Sequence, residues 1–169
     1  PKDTSALARI GQDHAAPMRI VETVIEVNEA RKRRMVDKIE DALGGSLNGR
    51  AIAVLGVTFK PETDDMRDSP SLVVVPALVG KGAKVSVTDP EGRREGEALL
   101  PGVRWAEDAY DAASGADAVV LLTEWNQFRA LDLKRLRAGM AGGAFVDLRN
   151  VYDPQTAAEA GFDYVGVGR

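Results

Sequence analysis

The stretch Ala51–Leu55, AIAVL, is a continuous apolar run, and the loop Gly56–Pro70, GVTFKPETDDMRDSP, follows it. Such a run is typical of a strand in a parallel sheet that is covered on both faces. Lys60 lies just past the end of this strand, and Arg67 precedes a helix start marked by the pair Ser69–Pro70. Ligands of open α/β sheets bind at the carboxyl ends of the strands. Two cations and a helix N-terminus at this edge therefore predict an anionic ligand, most simply a phosphate.

From residue 51 onward, short apolar segments alternate with segments of helical pattern. Strands are predicted at 51–57, 84–89, 103–105, 117–123, 143–148 and 162–167. Helices are predicted at 70–81, 92–99, 107–115, 132–140 and 154–160. Strands that alternate with helices are typical of a doubly wound fold. The predicted fold class is therefore α/β, with a doubly wound, Rossmann-like parallel sheet of about six strands, preceded by a long α-helix.

The first 45 residues have a different pattern. Residues 1–15 are predicted to be an irregular leading segment. From Ala16 to Leu43, apolar residues recur at spacings of three and four, which predicts one long helix, and the turn at 44–49 ends it. A helix of this length suits a spine between domains or a dimer contact. The charged run Asn28–Arg34 in its middle is interpreted as a solvated helix face.

Composition excludes several classes of function. The chain has 169 residues, a formal net charge of −4 and a pI near 5.1, which argues against a general nucleic-acid binder. It contains no Cys and one His, His14, so neither a thiolate zinc site nor a His-rich metal site is predicted. No apolar run is long enough for a membrane span. Because the chain begins with Pro1 rather than Met, we expect it to be a piece of a longer protein.

Polar clusters follow three of the predicted strands at one edge of the sheet. Lys60 and Arg67 follow the first strand, Thr123–Asn126 follows the fourth, and Arg149 follows the fifth. The first and fourth strands of a doubly wound sheet flank the topological switch point, so their loops open into one crevice. Each residue also has a structural interpretation: Lys60 as a solvated side chain, Trp125 as core packing, and Arg149 as an ion-pair partner of Asp147 or Asp153.

The fingerprint of a dinucleotide-binding unit is missing. Such a unit has Gly-x-Gly-x-x-Gly after its first strand, whereas here only Gly56 is present, followed by Val57, Thr58 and Phe59. Asp89 ends the second strand as a ribose-binding acid would, but it lies 33 positions after Gly56 rather than about 20. The sequence therefore predicts a site for a nucleotide or nucleotide sugar, not for the whole redox cofactor.

Four blocks of sequence resemble those of a known family. The block Phe59–Pro70 resembles the signature of nucleotide-sugar dehydrogenases, which oxidise UDP- or GDP-sugars at C6. The blocks Thr123–Phe128, Asp147–Pro154 and Tyr164–Arg169 are similar to the bacterial UDP-glucose 6-dehydrogenase branch. The resemblance extends over essentially the whole chain, with the blocks in the right order.

The resemblance implies an organisation into three parts. Residues 1–15 would be the end of a catalytic loop and a linker. Residues 16–45 would be the central helix, which also builds a homodimer, and residues 46–169 would be the UDP-binding, Rossmann-like domain. A separate N-terminal domain of the family binds NAD, and the family is expected in the cytoplasm.

The resemblance also implies roles for individual residues. Phe59 and Lys60 would contact the substrate, UDP-glucose or its product UDP-glucuronate, and Arg149 would hold it from the other side of the crevice. Arg67 and Lys2 would lie beside the NAD cofactor.

One further role depends on chemistry that is incomplete in this chain. Asp3 would be the catalytic carboxylate that works with water in thioester hydrolysis. The family's nucleophilic Cys comes before Pro1, so the chain alone is expected to be inactive. Two alternatives stay open: a freestanding module that binds a nucleotide sugar and dimerises without chemistry, or a dehydrogenase of UDP-N-acetylmannosamine or GDP-mannose.

Overall fold

The predicted strands form one six-stranded sheet in which all neighbouring strands are parallel, in the order β3-β2-β1-β4-β5-β6. The computed structural model describes residues 2–168, without the side chain of Lys2. The strands are β1 Ala51–Leu55, β2 Lys84–Thr88, β3 Arg104–Trp105, β4 Ala118–Leu121, β5 Ala144–Asp147 and β6 Asp163–Gly166. The doubly wound, Rossmann-like parallel sheet is therefore confirmed, and each strand ends within two residues of its predicted bounds.

The register of the sheet aligns the carboxyl ends of its central strands. Leu55, the last residue of β1, lies opposite Thr88 on β2 and Leu121 on β4. Leu121 lies in turn opposite Asp147, the last residue of β5. The loops that follow β1, β4 and β5 consequently leave the sheet side by side, with β1 and β4 as neighbours at the predicted switch point.

Helices cover the sheet on both faces. They are α1 Lys2–Asp13, α2 Arg19–Ala42, α3 Ser71–Gly80, α4 Arg93–Leu99, α5 Ala109–Ala113, α6 Asn126–Arg129, α7 Leu133–Ala138 and α8 Pro154–Glu159. One face packs against α2 and α3, where Ile39 and Leu78 are fully buried. The other packs against α5, α7 and α8, with Leu136 and Phe145 in its core. Each such side chain contributes about 1.5–3 kcal/mol by burial.

The N-terminal segment differs from the sequence prediction. Residues 1–15 were predicted to be irregular, but Lys2–Asp13 form α1, with Asp3 in its first turn, where a negative charge favours a helix. Ala8 and Gly11 are its buried positions, and a Cβ on Gly11 would lie 2.8 Å from the carbonyl oxygen of Ala16. Close packing against the turn before α2 therefore stabilises a helix whose apolar pattern is short. The long helix itself is confirmed as α2, which begins three residues later than predicted.

Candidate functional site

The loop after β1 is held by a buried carboxylate at the end of β2. Asp89 Oδ2 accepts hydrogen bonds from the backbone N–H groups of Val57 and Thr58 at 2.7 and 3.0 Å, and from the Thr58 hydroxyl at 3.0 Å. Its Oδ1 accepts from the backbone N–H groups of Glu91 and Gly92. Asp89 thus lies where a ribose-binding acid would lie, but its oxygens bind the protein's own loops.

The loop after β4 is tied to the same anchor. The Thr123 hydroxyl donates to the carbonyl oxygen of Thr58 at 2.7 Å. The buried Trp125 directs its indole N–H to Thr58 Oγ1 and to Asp89 Oδ2, both at 3.1 Å. Trp125 therefore packs in the core, as predicted by the interpretation that gave it no ligand-binding role. It also fixes the β4 loop to the β1 loop.

Gly56 allows these two loops to approach each other. Its φ is +84°, and a Cβ at this position would lie 2.5 Å from the Cβ of Thr123 and 2.7 Å from its carbonyl oxygen. In a dinucleotide-binding loop the glycines make room for a pyrophosphate. Here the room is taken by Thr123, and Asp89 already receives backbone donors, so this loop does not fit NAD as a dinucleotide cradle.

The far end of the β1 loop is anchored where α3 begins. The hydroxyls of Ser69 and Ser71 both donate to the carbonyl oxygen of Val57, at 2.7 and 2.5 Å. Ser69 Oγ also accepts from the backbone N–H of Ser71 at 3.2 Å, as expected of a residue at a helix start. Both ends of the loop are therefore fixed, and Phe59 lies between them with 36% of its surface exposed.

The backbone that carries Arg149 is equally well held. The fully buried Asp147 accepts from the backbone N–H of Arg149 at 3.0 Å and from that of Tyr152 at 2.9 Å. Asn150, at φ +54°, exchanges two hydrogen bonds with the backbone of Val167, at 2.9 and 2.8 Å. Burial raises the pKa of Tyr152 to about 12, so its hydroxyl keeps its proton and donates to the carbonyl oxygen of Phe128 on α6.

The Arg149 side chain forms a bidentate ion pair with Glu124, which follows β4. Its Nε donates to one carboxylate oxygen and its Nη2 to the other, the latter at 2.6 Å. The predicted ion-pair partners of Arg149, Asp147 and Asp153, were wrong. From Arg149, Asp147 accepts the backbone N–H and not the guanidinium, and Asp153 caps α8. Partial burial acts to raise the pKa of Glu124, but the hydrogen bonds and charge of Arg149 outweigh it and lower that pKa below its usual value.

A cleft of about 350 Å³ opens between this edge of the sheet and the two N-terminal helices. Phe59 and Asp68 line it from the β1 loop, and Leu122 and Arg149 from the ends of β4 and β5. The opposite wall is formed by α1 and α2. The cleft therefore joins an aromatic ring and a forked cation at the switch point of the sheet, a combination suited to a base or sugar carrying an anionic group.

Part of the charged run on α2 forms cleft wall, while Arg33 and Arg34 are exposed and lie outside it, as the interpretation as a solvated helix face expects. Asn28, Glu29 and Lys32 line the cleft, and Lys32 donates to Glu29 at 2.7 Å with 19% of its side chain exposed. A signal was present in the sequence, since these residues fall at helical spacing between Ile25 and Met35, which also line the cleft.

The other predicted site residues do not line the cleft. Among the described residues, the lining includes Phe59 and Arg149 but not Lys60, Arg67 or Asp3. Lys60 is exposed beside Phe59, and Asp3 is exposed on α1, next to Thr4 and Ser5 of the lining.

Arg67 forms an ion pair with Asp65 of its own loop. Its guanidinium donates to both carboxylate oxygens of Asp65, at 2.9 and 2.7 Å, and these hydrogen bonds and the charge of Asp65 raise its pKa. The predicted contact of the Lys2 side chain falls outside the described part of the chain. Within residues 2–168 no cluster of three or more acidic or His side chains could hold a metal ion. None of the helices described is long and apolar enough to cross a membrane.

Comparison with known sequences decides the family. The profile of the UDP-glucose/GDP-mannose dehydrogenase family, UDP binding domain, matches residues 53–154, more than half of the chain. The chain belongs to this family. The matched range includes Phe59, Glu124 and Arg149, so the family's UDP binding domain contains the sheet edge of the cleft.

Individual relatives agree with this assignment. The chain is 52% identical over 169 residues to the UDP-glucose 6-dehydrogenase of Rhizobium meliloti, and 38% identical over 175 residues to that of Pseudomonas aeruginosa. Both alignments cover 100% of this chain and 39% of the relative. The chain thus spans about two fifths of the length of these curated relatives.

Solved structures show the same fold. The UDP-glucose dehydrogenase of the archaeon Pyrobaculum islandicum superposes with a TM-score of 0.81 at 35% identity, over 98% of this chain and 36% of that chain. The GDP-mannose dehydrogenase of Pseudomonas aeruginosa gives a TM-score of 0.75 at 21% identity, over 98% of this chain and 38% of that chain. The second likeness shows that the fold is shared by enzymes of different nucleotide sugars.

Proposed function

We propose that this chain is the UDP-sugar-binding part of an NAD-dependent UDP-glucose 6-dehydrogenase, which oxidises UDP-glucose to UDP-glucuronate with reduction of two NAD. The observation that carries the proposal is the cleft with Phe59 and Arg149, in a chain that is 52% identical over its whole length to a UDP-glucose 6-dehydrogenase. The oxidation itself would need the rest of the longer protein, because this chain contains no Cys to act as nucleophile.

The proposed roles of Arg149, Phe59 and Lys60 follow from their chemistry. Arg149 offers a planar fork of donors that matches two phosphate oxygens. Phe59 offers a partly exposed ring against which the base or sugar can pack. Lys60, exposed beside that ring, adds a mobile positive charge for the diphosphate. Together they would hold UDP from both sides of the switch point.

The cofactor would be held mainly by a part of the protein outside this chain. NAD supplies the hydride acceptor when it is bound. Arg67, on the exposed end of the β1 loop, and Lys2 are proposed to reach it, and Asp3 is proposed to act with water in thioester hydrolysis. The neighbours of Asp3 that line the cleft, Thr4 and Ser5, support a position of α1 close to the substrate.

A homodimer through α2 is proposed as the assembly. The first half of α2 exposes an apolar stripe, with Ile20 83%, Val24 46% and Val27 53% exposed. Apolar surface of this kind on one helix face marks an interaction site.

The test measures UDP binding to single variants of the 169-residue chain by isothermal titration calorimetry. Arg149→Ala and Lys60→Ala should each weaken UDP binding by at least about tenfold, since each removes a charged partner of the diphosphate. Lys134→Ala is the matched control, because Lys134 is exposed on α7, away from the cleft, whereas Lys60 directly follows Phe59 of the cleft wall. Wild-type affinity in both Arg149→Ala and Lys60→Ala contradicts the proposed site.

Two other functions predict different results. The absence of Cys from the sequence favours a freestanding binding module. Such a module predicts that the chain binds UDP and that the full-length protein encoded by its gene does not turn over UDP-glucose. A GDP-mannose dehydrogenase predicts that GDP binds more tightly than UDP. A dehydrogenase of UDP-N-acetylmannosamine predicts UDP binding, with turnover of that sugar alone by the complete protein.

A further inference from the structure

Glu124 occupies only one edge of the Arg149 guanidinium. The carboxylate takes the Nε hydrogen and one Nη2 hydrogen. A guanidinium has five N–H donors, so both hydrogens of Nη1 and the second hydrogen of Nη2 stay available. These remaining donors form the edge that can meet two phosphate oxygens at once.

The lining of the cleft supports this arrangement of the ion pair. Arg149 lines the cleft, whereas Glu124 is not among the described residues that do so. The side chains of Glu124 and Arg149 are 22% and 38% exposed. The carboxylate is therefore not part of the described cleft wall, so it can support the guanidinium without blocking the ligand's place.

Glu124 is itself held in place by its neighbours in the chain. Thr123 before it is bonded to the carbonyl of Thr58, and Trp125 after it is bonded to Thr58 and Asp89. The backbone N–H of Trp125 also donates to the carbonyl oxygen of Thr123 at 3.0 Å, which closes a tight turn around Glu124. The backbone that carries the Glu124 carboxylate is thus held by the same residues, Thr58 and Asp89, that hold the β1 loop.

We propose that Glu124 is a positioning residue that holds the Arg149 guanidinium by one edge and presents the other edge to the diphosphate of the ligand. The proposal rests on the proposed function, since it specifies how Arg149 of that same site is prepared for binding. A long side chain that is ordered before binding loses less conformational freedom when the ligand arrives. The low pKa of Glu124 keeps the carboxylate charged, and so keeps the pair intact, at neutral pH.

The opposing effect is electrostatic. The negative charge of Glu124 reduces the attraction between Arg149 and a phosphate, so its removal strengthens that attraction. Water screens this effect, because both side chains are partly exposed. We therefore expect the loss of order to dominate, and Glu124→Ala to weaken UDP binding by about 3- to 10-fold.

A double-mutant cycle separates positioning from a merely structural role. UDP is titrated into the 169-residue chain as wild type, Glu124→Ala, Arg149→Ala and the double variant, and urea unfolding checks that each is folded. The expected result is a 3- to 10-fold loss for Glu124→Ala in the wild-type background and less than about twofold in the Arg149→Ala background. Glu124→Gln, which keeps one acceptor oxygen, should fall between wild type and Glu124→Ala.

Each other outcome identifies which proposal fails. Unchanged or tighter binding by Glu124→Ala, while Arg149→Ala loses affinity, overturns the positioning role and leaves the proposed function standing. An equal loss in both backgrounds also overturns it, because Glu124 would then act on the fold and not through Arg149. If the wild-type chain does not bind UDP, or Arg149→Ala binds as tightly as wild type, the proposed site falls and this inference falls with it.

Discussion

At the scale of single residues, one carboxylate joins three segments at the ligand-facing edge of the sheet. Asp89 receives hydrogen bonds from the β1 loop, from Trp125 of the β4 loop, and from the backbone that follows β2. A buried anion is stable only when hydrogen bonds replace its water, and here the donors surround it. Because the loops that carry Phe59 and Glu124 share this anchor, their relative position depends on Asp89.

Asp89→Asn should be strongly destabilising. The substitution turns one acceptor oxygen into an N–H donor that faces other donors, so we expect a loss of about 2 to 4 kcal/mol in the free energy of unfolding. Asp153→Asn makes the same chemical change at the exposed cap of α8, where the side chain accepts from the backbone N–H of Thr156. Asn caps helices as well as Asp, so that variant should stay within about 0.5 kcal/mol of wild type. Urea unfolding measures both, and equal losses would contradict the anchoring role.

Residue patterns predicted part of this site. The edge of the sheet and the place of Arg149 follow from residues at strand ends, whereas Phe59 is predicted only from the family resemblance. The use of Asp89 as an anchor does not follow from the sequence, because a carboxylate after a strand looks the same in sequence whether it binds a ribose or backbone N–H groups. Nor does the pairing of Arg149 with Glu124, since it depends on two loops 25 residues apart in sequence.

At the scale of elements, the close approach of the β1 and β4 loops depends on Gly56. Gly56→Ala would place a Cβ against Thr123 at a φ of +84°, so both overpacking and a left-handed backbone are unfavourable. We expect a loss of about 2 to 4 kcal/mol. Gly44→Ala is the matched control, because Gly44 has a φ of +81° with nothing within 4 Å of the added Cβ, and should lose only about 1 kcal/mol. The two unfolding free energies are compared directly, and similar losses would mean that the loops can move apart without a penalty.

Helices were predicted less completely than strands. The strands were recognisable because each is a short apolar run between turn residues, and a parallel sheet buries both faces. Helix α1 was missed because its buried positions are Ala8 and Gly11, small residues with a weak apolar signal. The short α6 was missed because Asn126–Arg129 is a single turn that follows Trp125. The division of the chain into linker, central helix and UDP-binding domain stays a prediction.

At the scale of the whole molecule, the distribution of apolar surface on α2 is uneven. Its second half buries Val36 and Ile39 against the sheet, whereas its first half leaves Ile20, Val24 and Val27 exposed. What covers the exposed stripe of the first half depends on chains or segments that a single sequence does not show. The proposed homodimer is one solution that can be tested on this chain.

Val24→Lys should disrupt that dimer. In a two-fold interface the change occurs twice, and burying two unpaired ammonium groups should raise the dimer dissociation constant by at least about tenfold. Glu26→Gln, on the opposite side of the same helix, changes the net charge by the same single unit at another exposed position and should leave the dissociation constant unchanged. Sedimentation equilibrium over a range of protein concentrations measures both variants beside wild type. A wild-type chain that stays monomeric, or a Val24→Lys chain that dimerises as wild type does, would show that this stripe is covered by something other than a second copy of α2.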